Sequence, residues 1–324
     1  MNELNIDLHC DLLLYLFDPD ASVDDKKLGC SLPYLREGNV KLQVTAIYSP
    51  TARDSSILGV KQSEIFADLL KKETFFLFDT ENYKSSENSD KTGILASIEN
   101  ASSFCEEDMA LDAGFKNLET LIENTQKILY IGITHHSENR FGGGNNSEAG
   151  LKEDGKILID YLADKRIAVD LAHTSDQLAY DLINYMAQQN YKIPILASHS
   201  NYRNVYQNQR NLPDELVTEI IKREGLIGLN FIKDYIDHTH PERLYEHIKY
   251  GLDIGAENCI AYGADYFFDE GHPDRSRYPF FFDEFKNASA YNAINKKLAE
   301  EYSVEFMEKV SHKNALNFIK KLWY

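Results

Sequence analysis

At residues 193–199 the sequence reads IPILASH, an almost continuous apolar run that ends in a histidine. Strands that are covered on both faces have this composition, which is typical of a parallel sheet flanked by helices. Seven further runs share this strand character, at residues 4–13, 41–49, 93–98, 128–134, 167–172, 225–231 and 258–264. Together with residues 194–198 they make eight candidate strands.

Helical patterns separate most of these strands. Leu158, Tyr161 and Leu162 recur at i, i+3 and i+4 within residues 154–164, which is the stripe of an amphipathic helix. Ser175 is a candidate N-cap of the next helix. Strands thus alternate with helices along the chain.

This alternation predicts one (β/α)8 barrel domain over residues 1–324. The alternative is an open doubly wound sheet, which would normally carry a glycine-rich turn after the first strand. No such turn is present. The polar segment at residues 82–91 is predicted to be a loop tip.

The composition excludes some classes of partner. The chain has 52 acidic and 34 basic residues, a net charge of -18, and would repel nucleic acid and anionic membranes. No apolar run approaches the roughly 20 residues that a spanning helix needs. The sequence begins without the basic and apolar regions of a secretory signal, so we expect no membrane anchor and a cytoplasmic location.

Ionisable residues stand where the apolar runs end. His9 and Asp11 lie two positions apart in the segment DLHCD, so they point to the same side of a strand and form a chelating pair, whereas Cys10 points away. Four later runs also end in an ionisable residue: Glu99, His173, His199 and Asp265. In a barrel these strand ends converge on one face, and that face carries the active site.

The type of side chain indicates the metal. Imidazole and carboxylate ligands together suit zinc, and also manganese, iron or cobalt. Three imidazoles with two carboxylates exceed what one tetrahedral ion needs, which favours two ions that share a carboxylate. The sequence therefore predicts two divalent metal ions, with Zn²⁺ as the expected metal.

These segments resemble the motifs of the membrane dipeptidase family of metallopeptidases. The family's D-x-H-x-D motif is similar to residues 7–11, its D-L-S-H motif to residues 170–173, and its S-H-S-N-A-R segment to residues 198–203, with R-N following at 210–211. Its G-S-D-F-D-G motif is matched in part by residues 263–268. The resemblance covers nearly the whole chain and implies a barrel that hydrolyses dipeptides.

The resemblance implies a role for each candidate metal ligand. His9 and Asp11 would hold one ion, and His173 and His199 would hold the second. Glu99 would bridge the two ions. A hydroxide between the ions would be the nucleophile of the reaction.

The resemblance also implies the residues that act on the substrate. His135, in the L-T-H context after the fourth strand, would bind the substrate and polarise its carbonyl oxygen. Arg210 would bind the free C-terminal carboxylate of the dipeptide, and Asp265 would be the acid-base residue. The alternative for Arg210 is a structural ion pair with an acid such as Asp214.

Two segments near the expected substrate pocket depart from the family's pattern. Phe267 and Phe268 stand where the family has aspartate and glycine, and the loop at residues 137–144 has no evident counterpart. Because of these two departures, the sequence does not predict which side chains of the dipeptide are preferred. The adjacent His136 is interpreted as a loop residue, and His247, in a helical pattern beside apolar residues, as a core histidine.

The sequence leaves two other functions and the oligomeric state open. The chain could be another amide or ester hydrolase on the same barrel and metal site, for which a carboxylate-binding Arg210 would be unnecessary. It could also be a barrel that only binds a ligand, although the full set of metal residues favours catalysis. The aromatic cluster at residues 278–285 could be core, could cap the barrel or could line a homodimer interface.

Overall fold

The computed structural model describes residues 4–81 and 89–324. The predicted loop tip at residues 82–91 falls mostly outside them. The strands are β1 (Asn5–Cys10), β2 (Val40–Tyr48), β3 (Phe75–Leu77), β4 (Thr92–Glu99), β5 (Ile128–Gly132), β6 (Ala168–Asp170), β7 (Ile195–Ala197), β8 (Leu226–Leu229) and β9 (Ile260–Tyr262).

Helices connect these strands. The α-helices are Leu12–Tyr15, Leu32–Glu37, Ser55–Leu69, Leu111–Thr125, Glu153–Leu162, Asp176–Gln188, Asp214–Lys222, Lys233–Ile236, Arg243–Asp253, Ala290–Glu301, Val304–Glu308 and Asn314–Trp323. The last two are joined by a π-helical segment, Lys309–Lys313. Ser175 caps its helix as predicted, because its hydroxyl accepts a hydrogen bond from the amide of Leu178 at 2.9 Å.

Eight of the nine strands close into a ring. Their order is β1, β2, β4, β5, β6, β7, β8 and β9, and β9 pairs back with β1. All pairings are parallel. These eight strands correspond to the eight predicted ones, so the predicted (β/α)8 barrel is confirmed.

Strand β3 lies outside the ring and was not predicted. It pairs with Thr92, Gly93 and Ile94 at the start of β4, whereas the later part of β4 pairs with β5. Its run of three residues is too short to be distinguished by periodicity from the end of a helix. The first predicted strand was too long, because the chain turns into a short helix at Leu12.

The barrel interior is apolar at the end where the strands begin. Every ring strand contributes to one buried cluster, which includes Leu8, Val44, Leu95, Tyr130, Ala168, Leu196, Leu226 and Ala261. The C-terminal helix Asn314–Trp323 adds Leu316, Phe318 and Ile319 to the same cluster. The opposite end, where the strands finish, is therefore the end left for polar chemistry.

Candidate active site

The predicted site residues meet at the carboxyl ends of the ring strands. They border or underlie a cavity of about 470 Å³. Five of them line it, namely Asp11, Glu99, His135, His173 and Asp265. His9 and His199 lie below the cavity and are fully buried. The convergence expected from the strand ends is therefore present.

Glu99 stands at the centre of this group. Its Oε2 atom lies 3.4 Å from Nε2 of His9. Its Oε1 atom lies 3.0 Å from Nε2 of His173 and 3.4 Å from Nε2 of His199. One carboxylate oxygen thus faces one imidazole, and the other oxygen faces two.

The ring of His9 is oriented by Tyr130. The Tyr130 hydroxyl donates to the carbonyl of Leu8 at 2.8 Å, so it accepts from Nδ1 of His9, also at 2.8 Å. A neutral His9 therefore carries its proton on Nδ1 and directs the lone pair of Nε2 toward Glu99.

The same tautomer is set at the other two histidines. The Ser198 hydroxyl donates to Asp170 at 2.5 Å and accepts from Nδ1 of His199 at 2.6 Å. The side-chain oxygen of Asn145 accepts from Nδ1 of His173 at 3.2 Å. Asp170 accordingly orients a neighbouring histidine and does not enter the central cluster.

Most of the central atoms are acceptors that face one another. Nε2 of His9, Nε2 of His199 and Oδ1 of Asp11 are buried without a hydrogen-bond partner in the part of the chain that the structure describes. A buried polar atom left unpaired costs about 1–3 kcal/mol. A cation satisfies all of these atoms together, and imidazole nitrogens with carboxylate oxygens are suitable ligands for a divalent transition metal.

The electrostatics also favour positive charge at this place. Burial alone would lower the pKa of His9, but the negative charges of Glu99, Asp265 and Asp11 outweigh it and raise that pKa to about 10. Burial, reinforced by the charge of Glu99, raises the pKa of Asp11 and brings the pKa of Asp265 to about 6. The carboxylates therefore attract a cation when they are ionised.

An irregular strand turns His9 into the barrel. The pairing of β1 with β2 shifts register between Asp7 and Cys10. Asp7 accepts a hydrogen bond from the hydroxyl of Tyr291, on the helix Ala290–Glu301, while Cys10 packs in the outer core between strands and helices. His9 alone of these three side chains faces Glu99.

Two glycines allow the end of β7 to approach its neighbours. A Cβ atom added to Gly228 or to Gly263 would lie 1.9 Å from the carbonyl oxygen of Ser198. Any side chain at these positions would push away the peptide that carries His199.

A second group of histidines stands beside Glu99. The ring centroids of His135 and His136 are 4.1 Å apart, and those of His135 and His173 are also 4.1 Å apart. Burial lowers the pKa of His135 to about 3, which keeps the ring neutral. Its Nε2 atom lies 3.9 Å from Oε1 of Glu99.

The glycine-rich loop brings Asn145 to these histidines. The side-chain oxygen of Asn145 accepts from Nδ1 of His136 at 2.9 Å as well as from Nδ1 of His173. A Cβ atom on Gly144 would lie 2.1 Å from the carbonyl oxygen of His135, so the loop needs glycine there. His136 does lie in a loop, but its ring lines the cavity, which the sequence analysis missed.

Arg210 is buried, and its direct partners among the described residues are neutral. It is 4% exposed, and its guanidinium donates to the Ser200 hydroxyl at 2.7 Å and to the His199 carbonyl at 2.9 Å. Its Nε atom has no hydrogen-bond partner, and within residues 4–81 and 89–324 no carboxylate forms an ion pair with it. Asp214 instead accepts from Asn204 at 2.7 Å.

Another arginine lies on the cavity surface. Arg277 lines the cavity, and its Nε atom donates to Asp234 at 2.5 Å. Tyr235 lies between the two arginines, with its ring centroid 5.5 Å from the guanidinium carbon of Arg210 and 6.0 Å from that of Arg277. The cavity thus has one paired arginine on its surface and one unpaired arginine behind it.

The aromatic cluster at residues 278–285 divides between core and cavity. Phe280, Phe281 and Phe285 are buried, and Phe280 also lines the cavity. Tyr278 is 42% exposed. A homodimer interface at this cluster stays a prediction.

Residues 2–322 match the sequence model of a family described as membrane dipeptidase, peptidase family M19. The chain belongs to the membrane dipeptidase family. The resemblance inferred from the motifs is therefore confirmed.

Curated relatives match over shorter segments. An uncharacterized dipeptidase of Schizosaccharomyces pombe is 25% identical over 169 residues, which are 48% of this chain and 40% of that protein. The dipeptidase verJ of Clonostachys rogersoniana is 27% identical over 156 residues, which are 43% of this chain and 39% of that protein. The chain thus spans about two fifths of the length of these membrane dipeptidase relatives.

Solved structures share the fold over the whole chain. A metallopeptidase named dipeptidase AC has a TM-score of 0.83 at 19% identity, with coverage of 100% of this chain and 99% of that one. A metallopeptidase from Rhodobacter sphaeroides, bound to a phosphinate mimic of L-Ala-D-Ala, has a TM-score of 0.82 at 18% identity, with 99% of each chain covered.

Within the described residues, no helix is long and apolar enough to cross a membrane.

Proposed function

We propose that this protein hydrolyses dipeptides with a free C-terminal carboxylate and uses two divalent metal ions, with zinc as the expected metal. The main support is the set of buried acceptors around Glu99, which suits cations and lies at the floor of a cavity of about 470 Å³. Family membership supports the choice of a peptide bond as the target.

Each metal residue has a place in this proposal. His9 and Asp11 would hold one ion, His173 and His199 would hold the other, and Glu99 would bind both. The division of the two Glu99 oxygens between His9 and the other pair of histidines supports this assignment. When bound, the ions would lower the pKa of a water molecule and polarise the carbonyl of the scissile bond.

Two residues of the chain would stabilise charge and move the proton. His135, held neutral by burial, can donate one hydrogen bond to the oxygen on which negative charge develops. Asp265 is held by Asn230, whose side-chain nitrogen donates to its Oδ2 at 2.9 Å. Asp265 would accept a proton from the nucleophile at its carboxylate and deliver that proton to the leaving amine.

Arg210 would bind the C-terminal carboxylate of the substrate. A buried guanidinium that forms no ion pair with the described carboxylates favours an anionic ligand, and the planar fork of arginine matches a carboxylate through two parallel hydrogen bonds. The anion would approach beside Tyr235, which separates Arg210 from the cavity surface. This contact would set the distance from the scissile bond to the end of the substrate.

Metal-loaded protein should be assayed against L-L and L-D dipeptides and against the same dipeptides amidated at the C-terminus. Simple esters and cyclic amides complete the panel. We expect cleavage of the free dipeptides and poor cleavage of the amidated ones. Efficient hydrolysis of amidated dipeptides, esters or cyclic amides would favour the rival amide or ester hydrolase. Absence of any hydrolysis by metal-loaded protein would favour the ligand-binding barrel.

Three arginine variants locate the carboxylate contact. Arg210→Met should lower kcat/KM for free dipeptides by up to about 2–5 kcal/mol of transition-state binding. It should also reduce the ratio of kcat/KM for free dipeptides to kcat/KM for amidated ones, which is the gap between the two substrates. Arg223→Met, on a partly exposed side chain that pairs with Glu219, is the matched control and should change neither value. If Arg277→Met narrowed the gap and Arg210→Met did not, the carboxylate would bind at Arg277 instead.

A further inference from the structure

Away from the metal-binding residues, the cavity wall is aromatic and aliphatic. The apolar side chains that line it include Leu14, Tyr15, Ile232, Phe267, Phe268 and Phe280. They come from the segments that follow β1, β8 and β9. A substrate held at the metals would have this surface beside it.

The charged groups on this wall do not form an ionic subsite. Arg277 is neutralised by Asp234, and its guanidinium carbon lies 4.8 Å from the ring centroid of Phe280. Asp18 is exposed at the rim, where its Oδ1 atom accepts from the amide of Asp20 at 3.0 Å. The wall therefore offers apolar contact more than charge.

Phe268 is the departure from the family pattern that shapes this wall. Its ring centroid lies 5.2 Å from that of Tyr15, and the Tyr15 hydroxyl donates to Asp25 at 2.8 Å, which holds the second ring in place. A Cβ atom on Gly271 would lie 2.9 Å from the Phe268 ring, so this glycine leaves room for it. With the exposed Leu14, these rings form a preorganised apolar surface.

Phe267 fixes the other side of the same segment. Its ring packs edge-to-face against Phe280 at 5.0 Å and lies 5.7 Å from the ring of Phe281, which is buried. The segment that carries Phe268 is thereby anchored to the core. Where the family pattern has aspartate and glycine, this chain has two phenylalanines that line the cavity, and Phe267 also anchors the segment to the core.

We infer that Leu14, Tyr15 and Phe268 form a subsite for a bulky apolar side chain of the dipeptide, either aromatic or branched aliphatic. This inference rests on the proposed dipeptidase function and names its substrate class. Filling an apolar pocket with one more methylene typically changes kcat/KM by roughly 10–200-fold. A side chain that covers Phe268 and Tyr15 falls in this range or above it.

The test is a panel of dipeptides with metal-loaded protein, in two series, X-Gly and Gly-X, where X is Ala, Leu, Phe, Asp or Lys. In one of the series, kcat/KM for Leu and Phe should exceed that for Ala by roughly 10–200-fold, with Asp and Lys at or below Ala. Phe268→Ala should reduce the ratio of Phe to Ala, and Phe268→Leu should retain most of it.

Two further variants distinguish loss of the subsite from a general loss of folding or activity. Leu14→Ala truncates a side chain that is 39% exposed, so it should fold normally and still lower the Phe to Ala ratio. Phe17→Ala is the control. Phe17 lies in the same segment and is also 39% exposed, but its ring does not line the cavity. This variant should leave the Phe to Ala ratio of kcat/KM unchanged.

Equal cleavage of Ala and Phe dipeptides in both series would overturn the subsite while leaving the dipeptidase proposal intact. The same holds if Phe268→Ala and Leu14→Ala both keep the wild-type ratio. If no dipeptide of either series is cleaved, the dipeptidase proposal fails and the subsite falls with it.

Discussion

Glu99 draws its importance from the atoms around it. Three imidazole nitrogens, each with its proton held on the far side of the ring, point at its two oxygens from 3.0 to 3.4 Å. Without a cation the contacts of His173 and His199 place acceptors against acceptors, since a neutral imidazole of this tautomer has no proton to give at Nε2. His9, whose pKa is raised to about 10, instead binds a second proton in the absence of metal. The charge of this one carboxylate is therefore what ties the two halves of the proposed metal centre together.

Glu99→Gln tests this arrangement. The substitution keeps the shape of the side chain and removes the negative charge that the ions would share, so both metal content and hydrolysis should be lost. Elemental analysis of dialysed protein measures the metal. Cys10→Ala is the control, because Cys10 lies next to His9 in sequence but packs in the outer core. Retention of both ions by Glu99→Gln would show that the bridge lies elsewhere.

Asn145 is a residue that sequence alone did not identify. It lies 28 positions from His173, and only the fold places its side-chain oxygen against Nδ1 of two histidines. Tyr130, which orients His9 across 121 positions, is a second example. Ligand types could be inferred from strand ends, whereas the groups that orient the ligands depend on contacts that no local pattern encodes.

Asn145→Leu removes the acceptor that fixes the tautomer of His173. Loss of a group that orients a metal ligand typically weakens metal binding by 10- to 100-fold. We expect a shift of this size in the dissociation constant, measured by competition with a chromogenic chelator. Glu148→Ala, on an exposed residue that follows in the same loop, should leave the constant unchanged. An unchanged constant for Asn145→Leu would mean that other contacts suffice to orient His173.

Apolar runs located all eight ring strands, because strands buried on both faces have a distinctive composition. Ionisable residues at the ends of five of these runs located the candidate site. The ends were less accurate, since apolar character continues into turns and caps. Strand β1 illustrates this, because Leu12 and Leu13 are buried but helical. The register shift between Asp7 and Cys10 could not be predicted from the sequence either, because strict alternation would place Asp7 on the same side as His9.

The helix Arg243–Asp253 is joined to two loops at the carboxyl end of the barrel through His247, confirmed here as a core histidine. Nδ1 of His247 accepts from the amide of Tyr202 at 3.2 Å, and Nε2 donates to the carbonyl of Ile236 at 3.3 Å. Only the neutral ring can form both bonds, because a protonated ring has no acceptor at Nδ1. Burial accordingly lowers the pKa of His247 to about 4.

This shift predicts a pH dependence of stability. Because the pKa of His247 is lower in the folded state than its value of about 6.5 in the unfolded chain, the unfolded state binds more protons between these two values. Stability from this residue is complete above about pH 6.5 and falls as the pH drops toward 4, by about 3 kcal/mol in total.

His247→Gln keeps an acceptor and a donor but has no titrating group. Urea unfolding of both metal-free proteins from pH 7 to pH 4 measures the effect, since all other histidines are common to the pair. The free energy of unfolding of wild-type protein should fall more steeply, with the difference developing below pH 6.5. Parallel curves would show that His247 is not protonated on unfolding in this range.

The two ends of the barrel differ in composition, since one is apolar and the other carries the ionisable residues. The C-terminal helix Asn314–Trp323 extends the apolar interior at the end where the strands begin. The opposite end collects buried carboxylates and histidines with unpaired atoms. Acidic residues exceed basic residues over the whole chain as well, with a net charge of -18, which favours the arrival of cations over that of anions.

The unpaired atoms at the mouth of the barrel destabilise the fold until cations occupy the site, so metal binding and stability should be linked. A ligand that binds only the folded state adds about 2.7 kcal/mol at a concentration 100 times its dissociation constant. In a chain of 324 residues each kcal/mol moves Tm by about 1.5 °C, so removal of two ions, about 5.4 kcal/mol in all, should lower Tm by roughly 8 °C. Dialysis against a chelator, followed by titration with zinc during thermal unfolding, should restore Tm with an end point of two ions per chain. Glu99→Gln should show little recovery, because it lacks the shared carboxylate. An end point of one ion would contradict the binuclear centre, and a Tm that ignores both chelator and zinc would contradict metal binding at this site altogether.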